Sequence, residues 1–133
     1  MAYLIGVLLA VAVGGLGTVV GFDRDRAFYP TIMIVIALYY VLFAVMGGST
    51  PALLIEAAVA SVFLAVTLVG FKHSLWLVAG ALASHGILDL FHGQLIANPG
   101  VPVWWPAFCM AYDVVAAGYL AFLLLDTERR RRA

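Results

Sequence analysis

The chain has 133 residues, of which 65% are hydrophobic and only 11% charged, and its mean hydropathy is +1.10. Seven basic residues balance seven acidic ones. This composition excludes an ordinary soluble domain and a nucleic-acid-binding surface, and it places the chain among polytopic membrane proteins.

Five apolar segments of membrane-crossing length follow one another, Tyr3–Val20, Pro30–Gly47, Pro51–Gly70, Leu75–Ala97 and Pro106–Leu125. About 30 Å of hydrocarbon requires about 20 helical residues, and lipid offers no partner for an unpaired backbone amide. An all-α integral membrane bundle of five transmembrane helices is therefore expected, forming one domain over residues 1–133. Four spans is the competing count, if the glycine-rich first segment lies at the interface or the Gly47–Pro51 turn is re-entrant.

The first span has no basic residue ahead of it and no cleavage-site pattern after it, so it reads as a retained helix rather than a signal peptide. Ala2, Gly6, Ala10, Gly14 and Thr18 recur at intervals of four along it. Small residues at that spacing let helices approach closely in lipid, either within the bundle or as a homodimer seam. Arg24 and Arg26 follow. In the second span Tyr39 and Tyr40 are adjacent, and one of them is expected to point into the bundle with its hydroxyl bonded.

Ser49-Thr50-Pro51 is a helix start for the third span, with Glu56 five residues on. Phe71-Lys72-His73-Ser74 is a tight hairpin that makes the third and fourth spans antiparallel neighbours. The loop Asn98–Pro106 holds three prolines and the pair Trp104-Trp105, which suits an aromatic belt at the membrane surface or a lid over a site beneath it. The fifth span carries Cys109, the only cysteine, and Asp113. Residues 126–133 form a basic tail ending in Arg129–Arg132. With five spans all seven basic residues fall on one side, which the positive-inside rule makes cytoplasmic, with the N-terminus outside.

The fourth span carries the unusual chemistry. At about 100° per residue, His85, Asp89 and His92 lie at relative angles of roughly 0°, 40° and −20°, on one narrow stripe of an otherwise apolar helix. At a rise of about 1.5 Å per residue, Glu56 and His92 lie about 7–8 Å below the outer surface, Asp113 about 10–11 Å, Asp89 about 12 Å and His85 about 18 Å. Three spans thus bring every intramembrane carboxylate toward one layer.

Three roles fit such a layer. Asp89-x-x-His92 has the i, i+3 spacing that grips one ion from one helical face, as the Glu-x-x-His element does in carboxylate-bridged bundles. Glu56 and Asp113 complete the shell, giving a nitrogen and oxygen set suited to a divalent metal, zinc ahead of iron or manganese. His85, one turn further along, serves as a proton-handling base beside Glu56 or as ligand to a second ion, and Cys109 is a packed apolar residue or a soft fourth ligand. The second role is a proton relay or coupling site in a proton- or metal-coupled carrier or channel subunit. The third is a polar staple in an accessory subunit, which gains little for three buried acids. No nucleotide fingerprint is present, and haem is disfavoured because His85 and His92 project from one face.

His85-Gly-Ile-Leu-Asp89-Leu-Phe-His92, followed by Pro102-Val-Trp-Trp-Pro-Ala-Phe-Cys109 and Tyr112-Asp113, resembles an uncharacterised family of small bacterial integral membrane proteins. The resemblance covers the fourth and fifth spans with their loop and implies no activity. A looser analogy is to zinc-dependent membrane hydrolases of the ceramidase type, from which this chain departs in helix number and in lacking a third suitably placed histidine. The resulting expectation is a multi-pass protein of the bacterial inner membrane, in contact with lipid, whose outward-facing site hydrolyses a lipid-like substrate with a metal ion.

Overall fold

A computed structural model describes residues 1–133 and contains five helices and no strand. They are α1 (Ala2–Val20), α2 (Phe28–Met46), α3 (Thr50–Lys72), α4 (Leu75–Leu95) and α5 (Trp105–Arg132), with one 3-10 turn, Phe22–Arg24, between the first two. All five are long and apolar enough to cross a membrane, and together they suit a multi-pass membrane protein.

The helix boundaries follow from local chemistry. Gly21 ends α1 in the left-handed conformation at φ 89°, which a residue without Cβ adopts freely. Ser49 and Ser74 cap α3 and α4, their hydroxyls accepting from the Ala52 and Trp76 amides at 3.3 and 3.4 Å. Pro30, Pro51 and Pro106 all fall in a first helical turn, where no intrahelical donor is lost. Past Leu125 the chain remains helical to Arg132, because no breaker intervenes and Arg130 bonds Asp126 at i, i+4 over 2.8 Å. Those last turns are exposed and charged, and a helix of 28 residues exceeds the hydrocarbon thickness by about 12 Å.

In packing order the helices run α1, α5, α4, α3, α2, with α4 also touching α2. Met33, Val78 and Leu82, all fully buried, fill the centre where α2 meets α4. Leu, Val, Ile and Phe cover much of the outside, a surface suited to hydrocarbon. Between apolar helices in an apolar solvent, association depends on close packing and polar contacts. The small-residue face of α1 shows the first device, since Gly6, Ala10 and Gly14 are buried and lie along α5. A Cβ on Gly6 would overlap the Phe108 carbonyl oxygen.

The connections gather at two ends. Arg26 donates to the Phe71 carbonyl at 3.0 and 3.2 Å, Trp76 to Glu128 at 3.3 Å, and Thr18 bonds both Asp23 at 2.6 Å and Tyr119 at 2.8 Å. One end of the bundle therefore holds Arg24, Arg26, Lys72 and the arginines of α5. At the other end the α2–α3 turn meets the α4–α5 loop, with Gly100 pressed against the Phe43 carbonyl and Gly47.

Two substitutions in α1 test this packing. Gly15 has open space around its Cβ position, so Gly15→Ala is expected to be neutral or to stabilise by up to about 1 kcal/mol through helix propensity. Gly6→Ala is expected to destabilise by about 1–3 kcal/mol as α1 is pushed off α5. Thermal unfolding of the two purified variants in detergent reads the contrast, and equal midpoints would count against the close α1–α5 contact.

Candidate metal centre

Glu56, His85, Asp89, His92 and Asp113 are all buried, none more than 3% exposed. They are organised as two acid–imidazole pairs. His85 donates from Nδ1 to Asp113 Oδ2 over 2.7 Å, with Asp89 Oδ2 3.6 Å from the same nitrogen. One and a half to two turns along α4, His92 donates from Nε2 to Glu56 Oε1 over 2.8 Å.

The first pair exists because α4 and α5 touch at Gly86. A Cβ there would stand 3.2 Å from Asp113 Cβ, the Met110 carbonyl oxygen and Val114 Cγ2. With only hydrogen at that position α5 comes close enough for Asp113 to meet the neighbouring His85. Phe63 of α3 closes the other side of His85, edge to face with ring centroids 5.0 Å apart. Cys109, one turn before Asp113 on α5, places Sγ 3.9 Å from Asp113 Oδ2.

The second pair is tied to the loop. Asn98 donates from Nδ2 to Glu56 Oε1 at 2.9 Å and to the Tyr40 carbonyl at 3.1 Å, while its Oδ1 accepts from the Gly100 amide at 3.2 Å. Between the pairs stands Tyr40. Its ring stacks on His92 with centroids 4.0 Å apart, and its hydroxyl donates to Asp89 Oδ1 at 2.6 Å. Tyr39, the other half of the dityrosine, turns outward against Trp105 at 4.7 Å.

One ligand atom from each of His85, Asp89, Cys109 and Asp113 lies within 4.8 Å of the others, so this buried group can hold a metal ion. Two of its oxygens, Asp89 Oδ2 and Asp113 Oδ1, are buried and accept no hydrogen bond. Tetrahedral zinc with bonds of about 2.0–2.2 Å sets ligand atoms about 3.3–3.6 Å apart. An ion would accordingly spread His85 Nδ1 and Asp113 Oδ2 from 2.7 Å by somewhat under 1 Å, replacing the proton between them, while the widest pair draws in.

The i, i+3 spacing predicts that Asp89 and His92 grip together with Glu56 and Asp113. The structure divides that set. Asp89 and Asp113 lie with His85 and Cys109, whereas Glu56 and His92 face one another. The physical reason is that the α4 stripe meets its acids from two flanks: α5 supplies the carboxylate at His85 and α3 the one at His92. Asn98 and the inward choice of Tyr40 have no periodicity to reveal them. The signal for Asn98 is that it alone, among the polar side chains near the end of α4, sits before a proline in a tight turn.

Comparison with protein-family models, curated proteins and solved structures finds no match to this chain in any of the three.

Tyr40→Phe removes the donor to Asp89 and leaves the stack on His92. A buried hydrogen bond to a charged group contributes about 1.5–3 kcal/mol. Tyr40→Phe is expected to lower stability by that amount and Tyr39→Phe to change it by less than about 0.5 kcal/mol. Unfolding of both variants under one detergent condition is the check.

Proposed function

We propose that this chain is a multi-pass protein of the bacterial inner membrane that binds a single divalent metal ion at His85, Asp89, Cys109 and Asp113 and uses it to hydrolyse a lipid-like substrate. The reading is carried by the two buried carboxylate oxygens, Asp89 Oδ2 and Asp113 Oδ1, that have no donor. An unpaired polar atom inside an apolar bundle is costly, and a carboxylate oxygen more so. Charge counting supports it as well, because three buried acids face two imidazoles. One negative charge is left over even when both histidines carry a proton.

Zinc stands first because a nitrogen, a thiol and carboxylates at four positions match a borderline-soft ion of tetrahedral habit. Iron or manganese come after it, and magnesium or calcium call for an all-oxygen shell. With the Cys109 thiol protonated, one imidazole and two carboxylates around a divalent ion form an uncharged set, the arrangement best tolerated in a low dielectric. A fourth position is then open to solvent or substrate, as in catalytic rather than structural zinc sites. The ion supplies Lewis-acid polarisation of a substrate oxygen and makes water acidic enough to react near neutrality.

The chain's own residues do the rest. Tyr40 orients Asp89 from behind through its hydroxyl, the outer contact that fixes a ligand's geometry. Glu56 and His92 share a proton between Oε1 and Nε2. Tyr40 stands between this pair and the metal group, and through it they are the groups proposed to receive a proton from attacking water and return it to the leaving oxygen as the acyl bond breaks. Asn98 holds the loop over them. The basic end of the bundle supports a cytoplasmic assignment for that end under the positive-inside rule, with the α4–α5 loop outside.

A proton- or metal-coupled carrier is the second reading. Its support is that two acid–imidazole pairs follow one another along α4 with Tyr40 between them, and that the outer pair adjoins a cavity beneath the loop lined by His92 and Asn98. Buried acid and histidine chains of this kind mark ion pathways.

Metal analysis by mass spectrometry on purified protein tests the proposal. Wild type is expected to retain about one zinc per chain, as three protein ligands around one ion with an open fourth position require. His85→Ala and Asp113→Asn are expected to lose it, while His92→Ala and Glu56→Gln keep it and lose hydrolysis. Loss of metal in His92→Ala would return His92 to the ligand set. No metal in any form, with proton-driven flux in proteoliposomes, would replace the hydrolase by the carrier.

A further inference from the structure

An apolar groove of about 360 Å³ runs down the outside of the bundle between α1, α2 and α5, and ten of its eleven lining residues are hydrophobic. Leu9 and Val13 of α1 form one wall, Val35 and Tyr39 of α2 the other, and Trp105 and Cys109 of α5 the floor. Leu9, Val35 and Tyr39 are exposed, so the groove opens sideways, on a face that hydrocarbon covers in a membrane-spanning bundle.

Two features separate this groove from an ordinary furrow between helices. Its floor includes Cys109, whose sulfur belongs to the four-residue group that can hold a metal. Its upper end includes Trp105, whose indole N–H is buried and has no acceptor. Trp105, Cys109 and Asp113 occupy positions i, i+4 and i+8 of α5, one stripe with steps of about 6 Å. The backbone position of Trp105 thus lies about one helical turn above that of Cys109. From Tyr39 the groove continues down α2 to Thr31, about 12 Å at the helical rise.

We propose that this groove is the acyl-chain subsite for a glycerolipid of the surrounding bilayer. The ester carbonyl oxygen accepts from Trp105 Nε1, and the chain runs down along Tyr39, Val35 and Ile32. The register matches a lipid in the leaflet at the loop end, because its ester layer lies at the depth of the aromatic belt and its methylenes below. As a statement about substrate the inference rests on the hydrolase reading, since it brings an acyl carbonyl beside the metal-ligating residues. As a statement about binding it stands on the groove.

The test uses the full chain reconstituted in vesicles of phosphatidylcholine doped with a phosphatidylcholine bearing a diazirine in mid-chain. Cross-linked residues are mapped by peptide mass spectrometry. Labelling is expected to concentrate on Val35, Ile32 and Leu9 over the more exposed Leu54, Val62 and Leu68 on α3. Trp105→Phe, which keeps the ring and removes the donor, is expected to lower that enrichment about fivefold, the equilibrium factor for one ordinary hydrogen bond. Val13→Phe is expected to block the groove and abolish the enrichment. Metal content is measured on the same samples and is expected to be unchanged by either substitution. Uniform labelling of all exposed faces in a wild-type protein that retains its metal would overturn the groove and leave the metal site standing. Concentrated labelling in a protein that never holds metal would keep the groove and remove the hydrolase. Enrichment that survives both substitutions would overturn the proposed register.

Discussion

Burying three carboxylates in a bundle of 133 residues constrains this molecule more than any other feature. An isolated charge in hydrocarbon costs several kcal/mol on the most lenient scales, so each acid must meet a donor or a cation. Glu56 has His92 and Asn98, and Asp113 has His85. Asp89 has only the Tyr40 hydroxyl on one oxygen and a long 3.6 Å approach to His85 on the other. The polar interior is therefore graded. The pair near the loop is saturated, and the group one and a half to two turns deeper is short of donors. That grading is why the deeper group, rather than the one nearer the surface, could hold a metal ion.

Meeting those donors requires backbones closer than large side chains allow. Gly86 brings α5 onto α4 where His85 and Asp113 must join, and Gly6 sets α1 onto the first turns of α5. The two contacts lie on different faces of α5, so that helix is clamped between α1 and α4 and its Cys109–Asp113 turn has little freedom. In lipid, where apolar burial between helices gains nothing, packing and site formation become one process. A side chain at Gly86 would act on the site and on the fold through the same displacement.

Much of the fold is legible in the chain because membrane helices must satisfy their own backbones. Length and hydropathy alone define five segments, and all seven basic residues lie outside them. That Glu56, His85, Asp89, His92 and Asp113 all turn inward is legible too, since charged groups on apolar spans avoid lipid, but helical rise places His85 well below Asp113, with which it pairs at 2.7 Å. Their pairing is not legible. Angular position shows that His85, Asp89 and His92 share a stripe, but which neighbour covers each edge depends on where α3 and α5 cross it. That crossing is decided by glycines whose effect is visible only with both helices in place. Asn98 lies in an aperiodic proline-rich loop, and Tyr40 differs from Tyr39 only by the 100° that separates consecutive residues. The C-terminal run shows the opposite difficulty. Its charge marks the end of the apolar span, whereas the helix ends only at Arg132, because backbone hydrogen bonds continue wherever no residue breaks them.

The site has two kinds of boundary. Toward the loop it adjoins a cavity of about 610 Å³ lined by His92, Asn98 and the prolines of the connection. Toward the lipid it adjoins the apolar groove whose floor is Cys109. Soluble ions and water have reason to use the first and none to use the second. An acyl chain has reason to use the second, because leaving the bilayer for the loop cavity would expose it to water at about 0.8 kcal/mol per methylene. Under the proposed hydrolase reading, a buried polar centre between an aqueous cavity and a hydrocarbon groove is where water and a lipid meet. Neither reactant then has to cross the other's solvent to reach it.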